Sequence, residues 1–244
     1  MMQPISPALR SELAPTGTLR VGLNLSNFLL VNAGSGDGEP AGIAPDLGRE
    51  LARRLGVPVA FVKYSSPGDL AAAASSGAWD VGLIGADPLR AGEIAFTSAY
   101  LEIEASYLVL AHSPIRAIDE VDRPGIRIAV GDKTAYDMYL RRTLQHATLV
   151  RAAGLEASYQ LFVNEHLDAL AGLRPRLLQD QAKHPGSRIL DGSFTRIQQA
   201  IGTPLQRKSG AAYLQEFIDD IKTGLVAKLI AQHGVRGVNV APQG

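Results

Sequence analysis

The 244 residues are 46% hydrophobic and 20% charged, enough for one large or two small cores and too apolar for extended disorder. Lys plus Arg and Asp plus Glu balance at 24 each, which argues against nucleic acid or an anionic membrane surface as partner. With no cysteine, disulfides, thiolate catalysis and cysteine-held zinc or iron–sulfur centres are excluded, and the redox compartment is left open.

The first stretch, MMQPISPALRSELAPTGTLR, lacks the apolar core of a secretory signal, and no later segment is long and apolar enough to span a bilayer. The expectation is no membrane insertion, with a cytoplasmic protein if Met1 is the native start and a periplasmic one if a signal was removed. TLRVGLNL (18–25) alternates and reads as a strand, and NAGSGDGEPAG (32–42) as a glycine-rich hairpin connection. Leu47, Leu51 and Leu55 recur at helical spacing within 44–57, with Asp46 near the start and Gly56 past the end, so an amphipathic helix is predicted. VAFVKY (59–64) follows as a strand, then a helix, Gly77 and a buried strand from Trp79 to Ile84. Alternating strands and helices predict a mostly parallel sheet covered on both faces, with ligands beyond the carboxyl ends of the strands.

ASYLVLAH (105–112) is a further strand, and after a polar stretch the pattern restarts at IRIAVGDKTAYDMYLRRTL, which marks a crossing into a second lobe. Residues 149–171 predict a strand, a helix and a strand, followed by a helix and turn in RPRLLQDQAKHPGSRILD. RIQQAIGTP (196–204) reads as a return strand, and the C-terminal region as two helices broken near Gly224.

In order and spacing, LRVGLN, GIAPDLGRELARRLGV, GAWDVGLIGADPLRAGEIAFTSAY, RIAVGDKTAYD, LDALAGLRP and IQQAIGTP resemble the family 3 extracellular solute-binding proteins, the polar-amino-acid receptors of ABC transporters, from Thr18 to His233. The resemblance implies an α/β chain with the type II periplasmic-binding-protein fold, two lobes joined by two hinge strands with an interlobe cleft. Lobe one would be 1–108 plus 203–244 and lobe two 109–202, with crossings near Tyr107 to Ala111 and Ile197 to Gly202. A monomer closing on a small carboxylate-bearing solute is expected, with no cofactor and, if the protein is exported, an ABC permease as partner.

Arg90 aligns with the arginine that grips a ligand carboxylate in that family, a task suited to a planar guanidinium with parallel donors. Asp87 and Pro88 read as N-cap and N1 of a short helix whose first backbone amides would also point towards the anion, with Gly85 and Ala86 just before it as further candidate contacts. A plain Arg90–Glu93 pair one turn apart is the competing reading. In GDKTAYD (131–137), Thr134 with Asp137 resembles a capping box, and the resemblance makes Thr134, Ala135 and Tyr136 ligand contacts. Departures from the family pattern are informative. Leu173 stands where the amino-acid receptors place an aspartate for the ligand ammonium, Gly85 replaces a hydroxyl residue, and Asn24 replaces the aspartate after the first strand. Phe28 remains as one face of a stacking wall or as a core or loop-packing residue. The expected ligand therefore keeps an anionic end and lacks the α-amine.

Cyclohexadienyl dehydratases share this fold and use a cleft carboxylate as general acid, but no carboxylate occupies the Leu173 position. The histidines at 112, 146, 166, 184 and 233 lack metal-ligand spacing, and neither a nucleophile elbow nor a Walker loop is present. A cytosolic small-molecule sensor is the remaining alternative, and no segment is spare for a helix-turn-helix. No metal and no catalytic residue are expected.

Overall fold

The computed structural model describes residues 5–32 and 38–243, which form two compact units. One runs up to Glu102 and resumes at Gln198; the other is Ile103–Ile197. Part of the glycine-rich connection, 33–37, lies outside the described residues, and beside it Asn32 and Ala41 form an antiparallel bridge.

The first unit opens with helix α1 (Pro7–Leu13), where the Ser6 hydroxyl accepts from the Leu9 amide and Pro7 presets the first turn. Strand β1 (Leu19–Asn24) leads to helix α2 (Ile43–Leu55), whose leucines at 47, 51 and 55 are fully buried. Gly56 ends α2 in the left-handed conformation that only glycine adopts without strain. Strand β2 (Val59–Tyr64), helix α3 (Pro67–Ala72), strand β3 (Val81–Gly85) and the short β4 (Ile94–Phe96) follow. β1 pairs in parallel with both β2 and β3, Val21 lying opposite Phe61 and Val81. The parallel core predicted from the strand–helix rhythm is therefore present.

Strand β5 (Leu101–Leu110) carries the chain into the second unit, starting four residues before the predicted strand. There β6 (Arg127–Gly131), α4 (Ala135–Thr143), β7 (Thr148–Ala152), α5 (Leu155–Asn164), β8 (Ala169–Leu173), α6 (Arg174–Lys183) and β9 (Ser187–Ile189) build a sheet ordered β5-β8-β6-β7. Both faces are covered, as alternation along the strands requires. Tyr107, Ile128, Val130 and Ala171 pack with Tyr136 and Leu140 on one side, and Leu108, Ala129 and Leu170 with Phe162 and Leu177 on the other.

Strand β10 (Thr195–Pro204) returns to the first unit, running antiparallel to β3 with Ile201 opposite Leu83. Helices α7 (Lys208–Ile221) and α8 (Leu225–Gln232) and strand β11 (Val238–Val240) complete the chain, the two helices separated at Gly224 as predicted.

Asp80, just before β3, is fully buried and held by two guanidiniums. Arg20 on β1 reaches its carboxylate through Nε at 3.0 Å and Nη2 at 2.7 Å, and Arg207 through Nη1 at 2.9 Å. The Asp80 carbonyl accepts from the Thr203 hydroxyl at 2.9 Å, so one residue ties β1, β3, β10 and the approach to α7 together. Removing one member of a buried ion pair leaves the others unbalanced. Asp80→Ala should therefore lower unfolding free energy by about 3–5 kcal/mol, measured by chemical denaturation, whereas an exposed Asp69→Ala change should cost far less.

Candidate functional site

At the carboxyl end of β3 the chain leaves the sheet through Ala86, whose amide donates to the Gln198 carbonyl at 2.7 Å. Asp87 Oδ1 accepts from the Leu89 amide at 2.9 Å, and the Asp87 carbonyl from the Arg90 amide at 2.9 Å. Residues 88–93 then form successive turns and not the short helix expected with Asp87 as N-cap and Pro88 as N1. The reason is room: the amides of Arg90, Ala91 and Glu93 bond three residues back, and β4 begins at Ile94, whose own i→i−4 bond to Arg90 therefore has no turn after it to propagate into. Asp87 does cap, but it caps a turn. The amides of Leu89 and Arg90, expected to face an anion, are spent on Asp87 itself.

Arg90 is 5% exposed, and its Nη1 donates to the Gly85 carbonyl at 2.6 Å. Burial pulls the guanidinium pKa down to about 10, while the nearby Asp87 charge pulls it back up. It remains a cation at neutral pH. The parallel register that sets Leu23 opposite Leu83 brings Asn24, at the end of β1, to the same end of the sheet as Gly85. Asn24 Oδ1 accepts from both the amide and the hydroxyl of Ser26, at 3.1 and 2.7 Å, which shapes the next turn. Phe28, a few residues on, is 38% exposed and so belongs to no core. Arg90 also lines a cavity of about 240 Å³ with Ala71, Ala72, Ser75, Leu89 and Glu93. That is smaller than the roughly 300–1,000 Å³ usual for drug-sized ligands.

In the second unit, β6 ends at Gly131 and the chain turns through Lys133, a non-glycine residue at φ 57°. The Thr134 hydroxyl accepts from the Asp137 amide at 3.1 Å and donates to the Gly131 carbonyl at 2.9 Å. The return bond from Asp137 goes one residue further upstream than in a capping box, Oδ2 accepting from the Lys133 amide at 3.1 Å. Ala135 and Tyr136 occupy the first two positions of α4, and both side chains join the core. Burial pushes the Tyr136 phenol up to about 12, and its hydroxyl hydrogen-bonds with Thr134. Tyr136 therefore supports the turn from within.

Leu173 closes β8 and packs against the same core. The adjacent Arg174 is anchored by Glu104, with Nε at 3.1 Å from its carboxylate, and donates to the carbonyls of Leu190 and Gly192. The sequence singled out neither Asp137's second partner nor that partner's source: Arg151 Nε lies 2.9 Å from Asp137 Oδ1. Among the described residues no group of three or more His, Asp or Glu side chains is arranged to hold a metal ion, and no helix is long and apolar enough to cross a membrane.

The sequence profile of the bacterial extracellular solute-binding proteins, family 3, matches residues 19–234. The chain belongs to that family. Its fold is that of the family's solved members. A mutant of ArgBP from T. maritima superposes with TM-score 0.73 at 21% identity, covering 92% of this chain and 98% of that one. The ancestral amino acid-binding protein AncCDT-1, a precursor of cyclohexadienyl dehydratase, gives 0.73 at 21%, covering 91% and 98%. AbpA from Streptococcus pneumoniae bound to L-arginine gives 0.72 at 18%, covering 90% and 95%. No curated protein matches the sequence. In this family 3 solute-binding protein the Arg90 turn follows β3 and the Thr134 turn follows β6.

The Thr134 cap is testable by itself. Thr134→Ala should lower stability by about 1 kcal/mol in denaturant unfolding, while Thr134→Ser should stay near the parent because the hydroxyl is retained.

Proposed function

We propose that this family 3 solute-binding protein binds a small solute bearing a carboxylate and lacking an α-amine, and that it binds without catalysing a reaction. The observation that carries the reading is Arg90, a buried cation at the carboxyl end of a parallel strand, where α/β sheets take their ligands. A planar guanidinium presents parallel donors that match a carboxylate, and in a desolvated setting each such bond is stronger than in water. Gly85, Ala86, Asp87, Asn24 and Phe28 are the residues this reading assigns to the solute beside Arg90. In the other unit, Thr134, Ala135 and Tyr136 offer the start of α4 as a second anion-compatible turn.

Selectivity follows from Leu173. AbpA was solved with L-arginine, and an α-amino acid needs an anionic partner for its ammonium. This chain places an apolar side chain at the position that the family resemblance gives to the acid. An ammonium buried against leucine would lose its hydration with nothing in return. The same residue argues against dehydratase chemistry of the kind suggested by the likeness to AncCDT-1, because a general acid is missing there. Delivery to an ABC permease, by a monomer, is the transport role this reading implies.

A thermal-shift screen with matched pairs tests it, since a ligand raises apparent stability by mass action. 4-Methylpentanoate should stabilise the protein more than leucine, and glutarate more than glutamate. Consistent preference for the amino acids would overturn the selectivity. Arg90→Ala should weaken binding of the preferred carboxylate by about 2–5 kcal/mol while leaving a folded protein. Equal binding by that variant would make the arginine structural.

A further inference from the structure

The turn that starts α4 is held in an unfavourable shape. Lys133 sits in the left-handed region at φ 57°, which strains a non-glycine residue and persists only where its surroundings enforce it. What enforces it is visible. The Lys133 amide donates to Asp137 Oδ2, and Asp137, fully buried, is gripped at Oδ1 by the Nε of Arg151. Arg151 comes from β7, the strand beside β6, where it lies opposite Val130, one residue before the Gly131–Ala152 pair that ends the ladder. Its own side chain is half-exposed, so the ion pair joins a buried carboxylate to a cation at the surface of the unit.

The arrangement has an electrostatic consequence. Asp137 stands in the first turn of α4, the helix start at which an anionic ligand group would be received. An uncompensated carboxylate there would repel such a group. We propose that Arg151 is a positioning residue for the 131–136 turn: through Asp137 it fixes Lys133, and by neutralising that carboxylate it keeps the start of α4 receptive to an anion. This rests on the reading above that the turn meets the solute's carboxylate. Arg151 itself touches Asp137 and not the solute.

Two readouts test it, one of which needs no ligand. In amide exchange followed by NMR, Arg151→Met should speed exchange of the Lys133 amide about tenfold or more, and Arg151→Lys, which keeps the charge, should restore much of the protection. Unchanged Lys133 exchange in folded Arg151→Met overturns the positioning claim. With 4-methylpentanoate as probe, Arg151→Met should weaken binding about tenfold, and the double variant Asp137→Asn with Arg151→Met should recover part of that loss, because asparagine still accepts from Lys133 without a charge. A purely structural ion pair predicts no recovery, so equal or weaker binding by the double variant overturns the charge argument. If the Arg151→Met protein does not fold, the Arg151→Lys and double variants carry both comparisons. If the parent binds neither 4-methylpentanoate nor glutarate, the solute reading fails, and the amide exchange alone decides the positioning claim.

Discussion

Asp80 keeps its charge out of water between Arg20 and Arg207, and much of the first unit is arranged around the need to answer that charge. β1 and the chain beyond β10 each supply a guanidinium to the Asp80 carboxylate just before β3, and β10 supplies the Thr203 hydroxyl to the Asp80 backbone carbonyl. The same constraint recurs. In the second unit Asp137 is answered by Arg151 and Asp180 by Arg176. A buried ion pair adds little net stability relative to apolar packing, yet losing one partner is costly, so such pairs fix which segments must be neighbours.

Arg90 obeys the constraint differently. Its Nη1 donates to the neutral carbonyl of Gly85, and the Asp87 charge raises its pKa against the pull of burial. The two turns at the strand ends thus do unlike work: at β3 a cation is displayed by a turn whose own amides serve Asp87, and at β6 a helix start is kept open by sequestering Asp137 with Arg151. Leu173, at the end of β8, contributes packing and no charge.

Much of this was legible in the sequence, and for a physical reason. Periodic burial writes itself into residue spacing, so α2, β2, α7, α8 and the return strand β10 stand where the pattern puts them, while β5 starts four residues early. Short elements escaped. α1 spans only seven residues of the polar first stretch, and it docks through Leu13 and through Glu12, which accepts from the Gly210 amide. β4, β9 and β11 have three residues each, too few for alternation to show, and exist because a neighbouring strand offers partners. The turn after Asp87 has the sequence of a helix start because cap chemistry is local, whereas the lack of room before β4 is not. Arg151 escaped since nothing in a strand's alternation links it to an aspartate fourteen residues earlier; only the parallel register of β6 and β7 does.

The most direct test of the central claim is to watch the Arg90 guanidinium while solute is added. Its side-chain ¹⁵N resonances, assigned by comparison with the Arg90→Lys protein, would be followed through a titration with 4-methylpentanoate. The account predicts that they shift along a saturating curve with the same midpoint as the thermal stabilisation. Saturable binding that leaves the Arg90 resonances unmoved would contradict it.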